Sequence, residues 1–334
     1  MLYAKVEKAK AQQIIKKIIA SGCYADGFRC FNEGDYVFIP ISKKPRGKWT
    51  LVEREGMVSK KKNVKDILQE KIGKENAELL YSSFDIVGDI AIVDFPENTE
   101  KYEKVLANAI MEVHRNVKVV AKKMGAVSGD FRVRPLKVIA GENRTETIYK
   151  EHGCKMKLDV AKVYFSVRLS AERKRIAEQV RPGEKILALF AGVGPFPLVI
   201  AKKQPSVEIV AIELNPVAVN YMQENISLNK VNNIIVEEGD AREIVTKKYR
   251  DYADRILMPL PKSADKFLDV AFRGAKNGCI VHIYGFGPEN DPFFELEQKI
   301  KQYGNEKVKI INRKIVRPYA PRVVQVVIDF VILK

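Results

Sequence analysis

Apolar residues in this chain fall into short runs and alternations separated by glycine, proline and acidic turns, a rhythm that predicts an α/β protein. Residues 1–6 read as a strand and 9–20 as an amphipathic helix. Strands at 28–31 and 36–41 flank the turn Asn32-Glu33-Gly34-Asp35. Residues 42–64 are basic and irregular, a linker or loop. A second α/β unit follows, with helices expected at 64–72, 75–82 and 99–114 and strands at 84–87, 90–94, 117–121, 136–140, 146–149 and 155–159. After Val163-Tyr164-Phe165-Ser166 comes a helix at 170–180 and then a longer alternation of strands and helices. Three domains are expected, 1–62, 63–165 and 166–334, with no internal repeat.

The third domain carries the sharpest local pattern. Ile186 to Phe190 is a short apolar run suited to a buried parallel strand, broken by Ala191-Gly192-Val193-Gly194 before a helical stretch from about 198 to 203. Such a bend lets the backbone approach a ligand and turns unpaired N–H groups toward it, although a G-x-G fragment alone serves equally as a structural turn. The third glycine of a dinucleotide fingerprint is replaced by Pro197, which disfavours NAD. A strand at 207–212 ends on Glu213, about twenty residues beyond the glycines, where a carboxylate can take both ribose hydroxyls. The strand 234–238 leads to Gly239-Asp240-Ala241, and 255–258 stops at Pro259-Leu260-Pro261. Each acid alone is equally a cap or a solvated charge. Together, glycine bend, Glu213, Asp240 and a proline turn follow the order of Rossmann-like S-adenosylmethionine (AdoMet) methyltransferases, whose ligands bind at the carboxyl edge of the sheet. The fold expected is therefore a Rossmann-like AdoMet methyltransferase domain preceded by two smaller α/β modules.

Charge adds a partner to this picture. The chain has 58 Lys and Arg against 42 Asp and Glu, a formal net charge of +16, which favours a polyanion. Between Lys43 and Lys65 there are nine basic residues against two acids, with Trp49 among them: a nucleic-acid contact or a solvated basic loop. No stretch has the uninterrupted apolar length of a membrane span and the first 20 residues are too charged for a secretory signal, so a soluble cytoplasmic protein is expected. Cys23, Cys30, Cys154 and Cys279 fit neither a zinc spacing nor a disulfide framework. Buried free thiols are expected, with a Cys23–Cys30 pair as the alternative in a hyperthermophile.

Three runs carry a family resemblance: Gly141-Glu142-Asn143-Arg144-Thr145-Glu146-Thr147, Asp159-Val160-Ala161-Lys162-Val163-Tyr164-Phe165-Ser166, and Phe190 to Phe196. With Asn225-Ile226-Ser227-Leu228-Asn229-Lys230 and Arg317-Pro318-Tyr319-Ala320-Pro321-Arg322, they closely resemble archaeal and eukaryotic tRNA (guanine-N1)-methyltransferases acting on guanosine 37. The resemblance covers most of the chain from about residue 120 onward, and the first 60 residues match only in outline. Members restricted to N1 methylation carry Asn-Leu-Pro after the fourth strand, whereas this chain has Pro259-Leu260-Pro261 and so lacks an amide that can bond the base. That form resembles the archaeal bifunctional branch, which also methylates C7 of the tricyclic base 4-demethylwyosine to give isowyosine.

The resemblance implies Glu172 as general base, Arg132 as the group that stabilises O6, Pro259 and Pro261 beside the base, and Arg168 and Arg173 on backbone phosphates. Arg134, Lys122 and Arg144 join them as candidate RNA contacts, with solvation the alternative for Lys122 and Lys123. Arg168 and Glu172 are spaced to share one helix face, as a functional pair or as an i,i+4 salt bridge. The donor pocket is expected at Gly192, Gly194, Glu213, Asp240 and Ala241. Tyr164, Phe165 and Phe190 either line it, where a sulfonium near π faces is favoured, or belong to the core. Direct methyl displacement implies no metal. The partner implied is tRNA, touched at the anticodon loop with the base extruded and at the elbow by the N-terminal module, the protein acting as a monomer. The rivals are a monofunctional N1-methyltransferase, a 3-amino-3-carboxypropyl transferase of the wyosine pathway, and a non-catalytic RNA-binding protein.

Overall fold

A computed structural model describes residues 1–25, 27–57, 62–80, 84–96, 98–125, 129 and 131–334. Lys60 and Lys61 of the basic segment, and residues 81–82 of the expected helix 75–82, lie outside the described residues. The chain forms two compact units, Met1–Lys74 and Glu75–Lys334.

In the first unit, β1 (Leu2–Glu7), α1 (Lys8–Ala20), β2 (Phe31–Glu33), β3 (Tyr36–Pro40), β4 (Leu51–Glu53) and α2 (Val64–Ile72) follow one another. The four strands form an antiparallel sheet in the order β2-β3-β1-β4. Alternation along β1 and β3 buries Ala4, Val6, Val37 and Ile39 with Ile18 of α1. The segment expected to be a linker contributes β4, which pairs with β1: Leu51 and Val52 are too few to stand out from the basic residues around them. Asn63 and Asp66 close a reciprocal capping box at the start of α2. The unit boundary after Lys74 keeps α2 within this unit, so the break lies twelve residues beyond the boundary expected at 62.

The second unit starts with α3 (Lys74–Leu80), β5 (Asp85–Val87), β6 (Ile90–Val93), α4 (Glu103–Val113), β7 (Val119–Lys123) and β8 (Leu136–Gly141). Its strands form a four-stranded sheet in the order β5-β6-β7-β8. The hairpin β9 (Glu146–Glu151) and β10 (Cys154–Asp159) follows, then α5 (Ser170–Gln179). The hairpin's outer edge is closed by α7, introduced below. Asn225 and Asn229, one helical turn apart, each give a donor and an acceptor to alternate residues of β10: Lys157 N–H to Asn225 at 2.6 Å and Lys155 N–H to Asn229 at 2.8 Å. Side-chain amides thus occupy the place of a missing strand. The Asn225 amide also donates to Val193 O at 3.1 Å, tying the hairpin to the glycine bend.

The rest is one large sheet: β11 (Lys185–Leu189), α6 (Pro195–Lys203), β12 (Glu208–Glu213), α7 (Pro216–Asn229), β13 (Ile234–Glu238), α8 (Ala241–Lys248), β14 (Ala253–Met258), α9 (Leu268–Gly274), β15 (Ala275–Pro288), α10 (Phe294–Gly304), β16 (Val308–Ala320) and β17 (Val323–Ile332). The order is β13-β12-β11-β14-β15-β17-β16, parallel as far as β15, with β17 antiparallel to both neighbours. Chain order reverses between β11 and β14, which opens a crevice at the carboxyl ends there. The central strands are apolar on both faces because helices cover both, with Leu187, Leu189, Val210 and Ile256 packed on one side and Ile186, Ala188, Ile209 and Leu257 on the other. α6 begins at Pro195, earlier than the pattern predicted: Gly194 is left-handed at its N-cap and both prolines fall in the first turn, where no intrahelical N–H is needed.

Candidate active site

Two cavities lie side by side in the second unit. The smaller, about 570 Å³, sits over the carboxyl ends of β11, β12 and β14, within the range of small-molecule sites. Phe190 and Gly192 both have φ of 57°, so the backbone doubles back immediately after β11, a strained turn at the bulky Phe190. Glu213 holds that bend: one carboxylate oxygen accepts from Gly192 N–H at 2.7 Å and the other from Asn215 N–H at 2.8 Å. Burial pushes the Glu213 carboxyl above its usual range, and the N–H groups of Asn215, Gly192 and Leu214 pull it part of the way back. The carboxylate retains lone pairs for a ribose diol. Asp240 caps α8, accepting from Arg242 N–H at 2.6 Å, and lines the cavity with Ala241. Phe190 meets Phe267 edge to face at 4.7 Å, and the Arg242 guanidinium lies 3.7 Å from the Phe267 centroid. The result is an aromatic-walled pocket beside a buried carboxylate with free lone pairs, a chemistry that fits an adenosine.

The larger cavity, about 670 Å³, has Arg134, Arg168, Arg317, Lys123 and Lys262 in its walls. Two of these cations are paired: Arg168 with Asp85 at 2.7 Å and Lys123 with Asp94 at 3.1 Å. Gly129, Arg132 and Tyr164 belong to both cavities, and the turn after β14 is divided between them, Pro259 and Leu260 facing the smaller and Pro261 and Lys262 the larger. Arg132 has φ of 53°, and burial lowers its pKa while the phenols of Tyr164 and Tyr319 oppose that shift. Its guanidinium makes no hydrogen bond or ion pair with any described residue.

Several residues singled out from sequence stand elsewhere. Gly194 lines neither cavity; a Cβ there would come within 3.0 Å of Met222, so it serves packing and the left-handed cap. Phe165 lines the larger cavity instead of the donor pocket, edge to face with Tyr149 at 5.2 Å. Arg173 is 1% exposed, bidentate to Glu151 and donating to Ser166 O at 3.1 Å, so it does not present a phosphate contact. Lys122 is ion-paired with Glu103, and Arg144 is held by Asp89 and Glu142; neither lines either of these two cavities. Arg168 and Glu172 do not share a face, because Arg168 sits in a 3₁₀ turn before α5 and reaches Asp85. Glu172 is 2% exposed and outside both cavity walls, accepting from Lys314 at 2.6 Å, Arg175 at 2.9 Å and Tyr284 at 3.2 Å. Its partner Tyr284 is two positions before the wall residue Phe286 on β15, on the same face of that strand. The four cysteines are free, Cys30 half-buried and the others buried. Asn215 was legible as a helix cap before Pro216, whereas nothing local marked Phe267, Phe286 or Asp85 as wall residues.

Strand order, glycine bend and the acids ending β12 and β13 define a Rossmann-like AdoMet-dependent methyltransferase. Residues 147–311 match the TRM5/TYW2 methyltransferase domain, 64–145 the TYW2 N-terminal domain and 5–48 the tRNA methyltransferase 5 N-terminal domain. The chain belongs to the TRM5/TYW2 family of tRNA methyltransferases. It is 41% identical to tRNA (guanine(37)-N(1))-methyltransferase Trm5b of Pyrococcus abyssi over 98% of both chains, and the crystal structure of Trm5b from that organism superposes with a TM-score of 0.76, at 40% identity and 100% coverage of each. It is 38% identical to tRNA (guanine(37)-N(1))/4-demethylwyosine(37)-methyltransferase Taw22 of Nanoarchaeum equitans, over 66% of this chain and 88% of that one. The complex of aTrm5 with tRNALeu gives a TM-score of 0.73 at 33% identity, covering 99% of this chain and 100% of that one. TYW2 of M. jannaschii in complex with AdoMet gives 0.59 at 29%, covering 75% and 100%.

Proposed function

We propose that this protein transfers the methyl group of AdoMet to N1 of guanosine 37 in tRNA and, at the same site, to C7 of 4-demethylwyosine. The observation that carries this reading is the pair of cavities joined at Arg132 and Tyr164, one shaped for adenosine and the other rimmed with cations. Glu213 holds the ribose, and the α8 N-terminus with Asp240 and Ala241 takes the adenine edge. The extruded base enters the larger cavity, its phosphates drawn by Arg168 and Arg134 once the Asp85 contact yields. In the transfer, a bond forms from N1 to the methyl carbon as the carbon–sulfur bond breaks, and S-adenosylhomocysteine leaves. Arg132 supports the negative charge that gathers on O6 when the N1 proton is withdrawn. Glu172 takes that proton on Oε1 once Lys314, 42% exposed, releases that oxygen, while Arg175 and Tyr284 hold Oε2. The first unit contributes contacts to the tRNA elbow, and the protein works as a cytoplasmic monomer.

Incubation with AdoMet and either unmodified tRNA or tRNA carrying 4-demethylwyosine, followed by nucleoside mass analysis, should give 1-methylguanosine and isowyosine. A product heavier by an aminocarboxypropyl group, or none, overturns the reading. Replacing Glu213 by alanine removes the charged acceptor of the ribose and the clamp on Gly192 together; AdoMet affinity measured by calorimetry should fall by about a hundredfold. Pro259, expected beside the base, lines the smaller cavity, with Pro261 of the same turn on the larger; replacing Pro259 by asparagine returns an amide to this turn, and the ratio of N1 to C7 methylation should rise. An unchanged ratio removes Pro259 as the source of the dual preference.

A further inference from the structure

The far wall of the larger cavity is built from a ribbon that overruns the parallel sheet. β14 ends at Met258, opposite Ile283, whereas β15 continues to Pro288 with β17 and β16 alongside. On this overhang Phe286, Gln325 and Arg317 are cross-strand partners and form one rung over three strands. Tyr319 stands two residues beyond Arg317, and all four line the cavity. The Tyr319 ring packs on Phe286 with centroids 4.0 Å apart and planes inclined by 34°, yet Tyr319 remains 47% exposed. Gln325, 2% exposed, accepts from Arg317 at 2.9 Å and so fixes the guanidinium 5.7 Å from the Tyr319 centroid. Register shifts at Ile315/Arg317 and Pro318/Ala320 bend β16 here, the kind of irregularity that re-aims side chains. A rigidly backed, half-exposed aromatic ring within a cation-rimmed cavity is a stacking surface waiting for a planar partner.

We propose that Tyr319, backed by Phe286 and flanked by Arg317, is the platform on which the extruded base stacks, and that it favours the tricyclic base over guanine. This rests on the larger cavity being the base site. An aromatic wall reads the face of a base and ignores its hydrogen-bonding edge, so it accepts planar bases of different width. The wider face of the tricycle overlaps more of the ring and gains more from it.

The test compares wild type, Tyr319→Phe and Tyr319→Leu in single-turnover methylation of a guanosine-37 transcript and of tRNA carrying 4-demethylwyosine, with AdoMet affinity measured by calorimetry. Tyr319→Phe keeps the ring and should methylate both RNAs at nearly the wild-type rate. Tyr319→Leu should lose roughly tenfold in kcat/KM on guanosine and more on the tricycle, with AdoMet affinity intact. Equal losses on the two RNAs, no loss, or a Phe variant as impaired as Leu would each overturn the platform or its preference. Loss of AdoMet affinity in Tyr319→Leu would make the ring a structural element and also overturn it. A wild-type protein that methylates neither RNA removes the reading beneath this inference, and the inference with it.

Discussion

Arg132→Ala should slow single-turnover methylation of guanosine 37 by about 10²–10³-fold, the cost of removing one preorganised donor from a developing oxyanion. Arg132 is the basic residue common to both cavities among the described residues, and it is held in a left-handed backbone conformation that costs energy away from a functional site. No carboxylate among the described residues occupies it, in contrast to Arg168 and Lys123 on the same cavity rim. A half-buried cation that no described carboxylate meets is expensive, and burial accordingly lowers its pKa. Such a group becomes favourable when a negative charge arrives, which is the situation in the transition state and not in the resting protein. AdoMet affinity should change far less than rate, because the proposed ribose and adenine contacts are Glu213, Asp240 and Ala241. Arg132→Lys keeps the charge but not the planar fork and should recover part of the rate. A rate loss matched by an equal loss of AdoMet affinity would move Arg132 from the chemistry to donor binding.

The sequence carried the donor side of this site further than the base side, for a physical reason. A donor pocket at a strand-order reversal is assembled from residues just past the ends of consecutive strands. Gly192, Glu213 and Asp240 each therefore announce themselves as a break after an apolar run, whereas Pro259, expected beside the base, lines the same smaller cavity as they do. The base pocket is assembled from pieces far apart in the chain: Asp85, Arg132, Tyr164, Phe286 and Tyr319 share no period and no spacing. Burial was the hardest property to read. Arg173 and Glu172 look alike in sequence, charged residues at the start of a helix, yet each is sunk against partners more than 20 residues away, Glu151 in one case and Tyr284 and Lys314 in the other. Helix spacing placed Glu172 with Arg168; the structure pairs it one turn on with Arg175 and across the fold with Lys314 and Tyr284.

Those partners extend into a buried chain of polar groups that fastens α5 to β15, β16 and β17. Asp329, 2% exposed on β17, accepts from Arg175 at 2.7 Å, Asn312 at 2.9 Å and His282 Nδ1 at 2.6 Å. His282 Nε2 faces the Arg255 guanidinium at 2.6 Å, and Arg255 is bidentate to Glu184. Since Arg255 can only donate, His282 Nε2 accepts and Nδ1 carries the proton, a neutral imidazole with a fixed tautomer. Burial lowers the His282 pKa, and the neighbouring Arg255 and Arg175 add to that against the pull of Asp329. Burial would raise the Asp329 carboxyl, but His282, Arg175 and Asn312 together hold it well below the usual carboxylate range.

Asp329→Asn keeps the shape and removes the charge that Arg175 requires, so it should destabilise the second unit by about 3–5 kcal/mol, toward the lower figure because Arg175 retains Glu172. For a unit of this size the melting temperature should drop by roughly 10 °C in calorimetry. The acid dependence distinguishes a charge effect from a packing one. Asp329 has a depressed pKa in the folded protein, so its stabilisation is present above the unfolded value of about 4 and is lost as pH falls through the folded value. His282, also depressed, acts in the same direction from about pH 6.5 downward, because the unfolded chain takes up a proton that the buried ring refuses. The difference in stability between wild type and Asp329→Asn should therefore be largest near neutrality and shrink below about pH 4. A difference that stays constant across that range would show that the carboxylate charge contributes nothing and that the loss is one of shape alone.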